Sequence, residues 1–325
     1  MGLRKMIMSA LIVSSSVIGF AMPAMAYDKE IKVYPDRPIT LIVGFPPGGM
    51  VDILARHMAK AMTDELGQRV IVESRVGATG SVGASVVARA APDGYTIYLS
   101  PSAVVLFLAA HAEPALDFSE ALAPVGKVAV VSSVMVVGNH VKARTLAELI
   151  QSAKENPGAL NMASPGVNTL GHMYGEMFQS AAGVKLQHIP HQGAAPAFSD
   201  ILGERADLMF TAVPSALAHI KDDRVRPIAV LAPNRVPLLP DTPSMGELGF
   251  SELVNSDWLG IFAPVGTPSH VISRLNRSIN KILADAQVRK QLAGLGYMVN
   301  LPDNTPESLE DLVVQQSRQW KRTLH

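Results

Sequence analysis

The sequence predicts an α/β fold made of two similar α/β units. Short apolar runs alternate with helical stripes from Pro38 to Ser100. The same alternation restarts near Val128, and the chain beyond Thr267 is mostly helical. Strand–helix–strand order implies a parallel sheet covered by helices.

Pro38–Phe45 (PITLIVGF) is a short apolar, β-branched run and reads as a buried strand. Pro46-Pro47-Gly48-Gly49 breaks it. Val51, Leu54, Ala55, Met58 and Met62 then recur at spacings of three and four, the stripe of an amphipathic helix that Gly67 stops. Val70–Glu73 is a second strand, Arg75–Gly83 a glycine-rich turn and Ser81–Ala91 a second helix. Pro92-Asp93-Gly94 turns the chain into a third strand, Tyr95–Ser100.

In the second unit Val128–Val137 is a long β-branched run. Thr145-Leu146-Ala147-Glu148 is a capping box that opens a helix through Lys154. Leu160–Ala163 is a strand and Thr169–Ala182 a helix. Leu186–Pro190, Leu208–Thr211 and Pro227–Ala232 supply further strands. Thr267-Pro268 and Thr305-Pro306 each pair an N-cap candidate with proline at the first helical position. Val271, Leu275, Ile279 and Ile282 form one apolar face behind them, and Leu309, Leu312, Val313 and Trp320 form another.

The chain of 325 residues has no cysteine, and hydrophobic residues make up 48% against 17% charged, a globular composition. Its first 26 residues read as a signal peptide. Arg4 and Lys5 form the basic start, apolar and small residues follow to Met22, and Ala24-Met25-Ala26 is the cleavage motif. The rival is a membrane anchor, disfavoured by the short apolar run and by Pro23. Arg4 and Lys5 are the only charges before Tyr27, so cleavage takes 28 basic residues to 26 against 28 acidic, a net charge of −2. That balance does not suit nucleic acid or an anionic membrane surface.

The most informative loop is Phe45-Pro46-Pro47-Gly48-Gly49, which runs from a strand end into the helix holding Asp52. Ligands of open α/β sheets collect at such places, and uncapped helix N–H groups favour an anion. Asp52 could equally serve only to complement the helix dipole. Ser164-Pro165-Gly166-Val167-Asn168-Thr169-Leu170-Gly171-His172 repeats the arrangement in the second unit, where Asn168 or Thr169 is also a candidate N-cap. Ser100 and Ser102 follow the third strand onto the first rim, and Thr211 and Ser215 fall on the second. Two such loops facing each other would clamp a ligand.

Enzyme signatures are weak. No P-loop occurs, no G-x-S-x-G occurs, and Gly77-Ala78-Thr79-Gly80-Ser81-Val82-Gly83 misses the dinucleotide spacing. His172 and Glu176 at i, i+4, with His188 and His191, could hold a metal. They lack an H-E-x-x-H or cysteine pattern, so neither metal nor cofactor is expected.

Taken in order, several motifs resemble the extracytoplasmic receptors of tripartite tricarboxylate transporters, the Bug-type receptors. They are Tyr34-Pro35-x-Arg37-Pro38-Ile39, Phe45-Pro46-Pro47-Gly48-Gly49-x-x-Asp52-x-x-Ala55-Arg56 and Ala90-Ala91-Pro92-Asp93-Gly94-Tyr95-Thr96. Asn156-Pro157-Gly158, Ser164-x-Gly166 through His172, Leu239-Pro240-Asp241-Thr242-Pro243-Ser244, Trp258-x-Gly260 and Ala263-Pro264-x-Gly266-Thr267-Pro268 continue the match.

The resemblance implies a type II periplasmic binding protein fold, with two α/β domains joined by two crossover strands and a ligand cleft between. The implied division is residues 27–130 with 253–325, and residues 131–252. It implies a receptor, not an enzyme, for a small carboxylate: a di- or tricarboxylate, an amino acid or an aromatic acid. The expected partners are membrane permease subunits or a sensor protein, the expected state a monomer and the expected place the periplasm.

The implied ligand residues are Phe45, Pro47, Gly48, Gly49 and Asp52, with Ser100 and Ser102, and then Ser164, Gly166, Thr169 and His172. Three departures from the family's pattern fall on the second unit. His191-Gln192-Gly193 replaces Tyr-Lys-Gly or Tyr-Arg-Gly, Asn168 replaces a glycine, and Thr211 replaces an acid. Ligand identity is therefore expected to be set around Asn168, His191, Gln192, Gly193 and Thr211.

Overall fold

The apolar runs become strands and the striped segments helices, in the order the sequence predicts, with several further elements between them. The computed structural model describes residues 34–110, 116–299 and 301–323. The expected signal peptide lies outside the described residues, and so does the side chain of Trp320.

The first part of the chain forms β1 (Ile39–Val43), α1 (Met50–Leu66), β2 (Val70–Ser74), α2 (Ser81–Ala88), β3 (Thr96–Pro101) and α3 (Ser102–Ala110). A short α4 (Phe118–Ala121) leads into β4 (Leu122–Gly138). There follow α5 (Leu146–Glu155), β5 (Asn161–Ser164), α6 (Leu170–Ala182), β6 (Gln187–Pro190), α7 (Ala194–Leu202), β7 (Leu208–Ala212), α8 (Val213–Lys221) and β8 (Val225–Val230). The chain closes with β9 (Ser256–Pro264), α9 (Ser269–Ala284), α10 (Ala286–Gly294), β10 (Tyr297–Met298) and α11 (Pro306–Thr323).

The strand order is β2-β1-β3-β9-β4-β7-β5-β6, with β8 and β10 also paired to β4. The outer strands are parallel, as strand–helix alternation requires: β1 with β2 and β3, and β5 with β6 and β7. The middle is antiparallel. β9 runs against β3 and β4, and β4 runs against β7 and β8. Strand–helix alternation predicts a parallel sheet, and β9 (SDWLGIFAP), where an acid, a tryptophan and a glycine interrupt the apolar pattern, falls outside that alternation.

β4 explains the two-part layout. Its first part, Leu122–Ser132, pairs with β9, and its last part, Ser133–Gly138, pairs with β7 and β8. One 17-residue strand therefore serves two half-sheets and changes partners between Ser132 and Ser133. The chain returns to the first half-sheet where Val254 and Asn255 lead into β9.

Each half-sheet has its own core. On the first, Leu54, Met58 and Met62 of α1 and Leu275 and Ile279 of α9 pack on Leu41, Leu99 and Ile261. Those helical residues are fully buried, which fits the stripes seen in sequence. On the second, Tyr174 and Phe178 of α6 pack with Phe210 and Met162. Gly67 ends α1 at φ 70°, a left-handed position that glycine accepts without strain.

Two of the expected helix starts behave differently. Thr305 caps α11, and its Oγ1 accepts from Ser308 N at 3.1 Å. Thr267 does not cap α9. Its hydroxyl donates to Pro264 O at 2.7 Å, and the helix begins at Ser269 with Pro268 in front. Thr145 caps α5 as the box predicts, while Glu148 reaches back to Arg144 N, one residue earlier than expected.

Candidate ligand-binding site

The first loop is shaped by its own chain. Gly44 has no room for a Cβ, which would lie 2.5 Å from Gly80 Cα. Gly48 sits at φ +85°, where L side chains are strained. Its N–H donates to Asp52 Oδ2 at 3.1 Å, and Arg56 Nε donates to the same oxygen at 3.0 Å. Arg56 Nη2 lies 2.8 Å from Asp52 Oδ1. Asp52 thus staples the loop to the first turn of α1, and its charge is matched by Arg56. The helix N-cap is Gly49, and no side chain caps that end.

The second loop uses side chains. Ser164 Oγ lies 2.7 Å from His188 Nε2 and accepts from Gly166 N at 3.2 Å. Thr169 caps α6 and its hydroxyl donates to Gly166 O at 2.8 Å. Asn168, at φ 61°, donates its N–H to His172 Nδ1 at 3.2 Å. That bond makes Nδ1 an acceptor and leaves the ring proton on Nε2, which faces Glu176 at 3.7 Å. His172 stacks on His188 with centroids 4.1 Å apart. Burial, then the neighbouring His172, lowers the His188 pKa. His191 lies 3.5 Å from Asp200. Among the described residues no cluster of three metal-ligating side chains occurs.

Between the loops is a cavity of about 90 Å³. Five helices present their N-terminal ends to it. Gly49, Met50 and Val51 come from the start of α1, and Pro101 and Ala103 from the start of α3. Thr169, Leu170 and Gly171 come from α6, Gly193 and Ala194 from α7, and Ala212 and Ser215 from α8. The first N–H groups of a helix have no partner within it and carry its positive partial charge. Phe45, Pro46 and Pro165 supply apolar wall. Ser133, Thr211 and Ser215 add hydroxyls. No lysine, arginine or histidine lines the cavity.

Among the described residues Asp257 is the one ionisable residue lining it, and sequence reasoning missed it. It stands at the start of β9 and is 2% exposed. Ser102 N donates to its Oδ1 at 3.1 Å, and Ser102 Oγ donates to the same oxygen. Oδ2 is buried with no hydrogen-bond partner. Burial pushes the carboxyl up to about 7, although Ser102 and the Trp258 backbone steady its charged form. An acid set directly before the apolar run Trp258–Pro264 was the available signal.

The rims of the cleft touch. A Cβ on Gly193 would lie 2.5 Å from Pro46 Cγ. One on Gly48 would lie 4.0 Å from Ala195 Cβ, and Thr79 Oγ1 donates to Val167 O at 3.4 Å.

Of the residues singled out from sequence, Phe45, Gly49, Thr169, Gly193 and Thr211 line the cavity. Pro47, Gly48, Asp52, Ser164, Gly166 and Asn168 build its loops. Ser102 stands behind Asp257. Ser100 is fully buried and its hydroxyl donates to Pro101 O. His172, His191 and Gln192 are not among the lining residues. Lining positions without a motif, such as Ser133, Ala194 and Ala212, come from strand ends and helix starts whose meeting depends on the tertiary fold.

Residues 54–325 match the family described as the tripartite tricarboxylate transporter family receptor. The chain is similar to the protein BugT of Bordetella pertussis, with 35% identity over 309 residues covering 94% of each chain. It is similar to the solved structure of the periplasmic binding protein BugD, at TM-score 0.84 and 34% identity over 89% of this chain and 97% of that one. It also resembles MatC from Rhodopseudomonas palustris with bound malate, at TM-score 0.84 and 26% identity over 90% and 100%. The two half-sheets bridged by β4 and β9 are accordingly those of a periplasmic binding protein fold. The chain belongs to the tripartite tricarboxylate transporter family of receptors.

Proposed function

We propose that this chain is exported, loses residues 1–26 after Ala26, and works in the periplasm as a monomeric receptor for a small carboxylate. Two lobes, residues 27–130 with 253–325 and residues 131–252, close on the ligand about β4 and the approach to β9. The closed form is then presented to the membrane permease subunits of a tripartite tricarboxylate-type transporter. The ligand leaves chemically unchanged.

One observation carries this reading: a cavity ringed by five helix N-termini and, among the described residues, lined by no cationic side chain. A carboxylate placed there accepts from backbone N–H groups of α1 and α6 and from the hydroxyls of Thr211 and Ser215. Binding by neutral dipoles leaves no unmatched lysine or arginine in the unliganded cleft, so opening costs little. The bound malate of the similar MatC supports the ligand class. About 90 Å³ gives space for roughly six to nine water-sized groups, the size of a short dicarboxylate.

The test is thermal unfolding of the mature protein against a panel of mono-, di- and tricarboxylates. A ligand at 100 times its Kd stabilises by about 2.7 kcal/mol. A clear upward shift with one or more acids, and recovery of that acid unaltered, is the expected result. No shift across the panel refutes the reading.

A further inference from the structure

We propose that Asp257 selects, among small carboxylates, those that also carry a hydrogen-bond donor, a hydroxyl or an ammonium group. The inference rests on the receptor reading above and assigns one wall of that site.

The geometry points there directly. Asp257 lines the cavity, is 2% exposed, and has two donors on Oδ1, both from Ser102. Those bonds fix the carboxyl plane and use up one oxygen. Oδ2 is buried and has no partner in the protein. A buried oxygen without a donor costs free energy that a ligand can restore by supplying one. Nothing else lining the cavity can take that role with a charge, since the remaining polar side chains are the hydroxyls of Ser133, Thr169, Thr211 and Ser215.

The cavity is thus split by chemistry. Helix N-termini favour the anionic end of a ligand. Above about pH 7, where its carboxyl is ionised, Asp257 repels that end and takes an N–H or O–H from the rest of the molecule. A plain dicarboxylate leaves Oδ2 unmatched and brings a second negative charge towards it. A hydroxy or amino acid of the same length satisfies both walls.

Titration calorimetry at about pH 8, where Asp257 is ionised, tests this with matched acids on the wild-type protein and on Asp257→Asn. The probes are succinate, malate and aspartate, with propionate, lactate and alanine as a shorter set. In the wild type the donor-bearing members bind roughly tenfold or more tighter than the plain acid, the effect of one hydrogen bond to a charged group. In Asp257→Asn the amide oxygen keeps the Ser102 bonds, so an N–H donor replaces the acceptor in the cavity. The preference collapses there, and succinate binds as well as before or better.

Equal affinity for succinate, malate and aspartate in the wild type overturns the inference and leaves the carboxylate reading intact. So does a preference for succinate, or a preference for malate or aspartate that survives in Asp257→Asn. Binding of no acid at all overturns both. The wild-type series decides the matter even where the variant folds poorly.

Discussion

Pro46 of the first loop and Gly193 of the second lie so close that a Cβ on Gly193 would stand 2.5 Å from Pro46 Cγ. The contact joins the loop before α1 to the loop before α7, across the cavity mouth. Ala195, the second residue of α7, faces Gly48 across the same gap.

Ala195→Trp is therefore expected to wedge the rims apart. The residue is exposed and lies in a helix, so stability should stay within about 0.5 kcal/mol of wild type. Ligand affinity should fall about tenfold or more, a penalty of about 1.4 kcal/mol on the closed state. Calorimetry reads the affinity. Small-angle scattering should show that ligand contracts the wild-type protein more than the variant.

Gly49→Asp places a carboxylate at the uncapped start of α1. Gly49 has φ −86°, and its added Cβ would meet only Pro46 O, at 3.9 Å, so the fold can take a side chain. The new cap should stabilise the protein by a few tenths of a kcal/mol, or about that. It should also occupy the N–H groups that a ligand would use and abolish carboxylate binding. Unfolding curves and titration of the same preparation check both signs.

Gly171 packs the start of α6 against β7, and an added Cβ would lie 2.4 Å from Phe210 O. Gly171→Ala must push helix and strand apart, at a cost of roughly 1–3 kcal/mol. It should weaken ligand binding as well, because the N-terminus of α6 moves. Chemical denaturation with and without ligand separates the two effects.

Asp257 gives a pH dependence with a definite sign. Its folded value is about 7 against an ordinary value of 3.8, so the folded state holds a proton that the unfolded state has lost. Stability from this group is largest at low pH and is lost as pH rises from about 4 through about 7. Tyr174, the facing titratable group on α6, is raised by burial and by Asp257, and stays neutral over that range. Unliganded wild type should therefore lose stability relative to Asp257→Asn between pH 5 and pH 8.

Much of the fold is legible in the sequence where a local pattern has one solution. The β-branched run before Pro46 can only be a strand, and the stripe from Val51 to Met62 can only be a helix with one buried face. α3 was not legible, because its sequence SAVVLFLAA is apolar all round and shows no period. β9 was missed for the opposite reason, since an acid, a tryptophan and a glycine interrupt its pattern. The loops of the site were legible through their glycines, prolines and capping residues. The cavity itself was not, because Asp257, Ser133 and Ala212 meet Gly49 only after β4 and β9 bring the two half-sheets together. His172 and His188 drew notice as reactive residue types, yet they stack on each other behind the second loop.

The central claim is that helix N-termini hold an anionic carboxylate in a cleft without cationic side chains. Titration calorimetry of the mature protein with a small carboxylic acid and with its uncharged amide tests it most directly. The account expects the acid to bind and the amide, equal in size and shape, to bind at least about tenfold more weakly. Equal binding of acid and amide would contradict it.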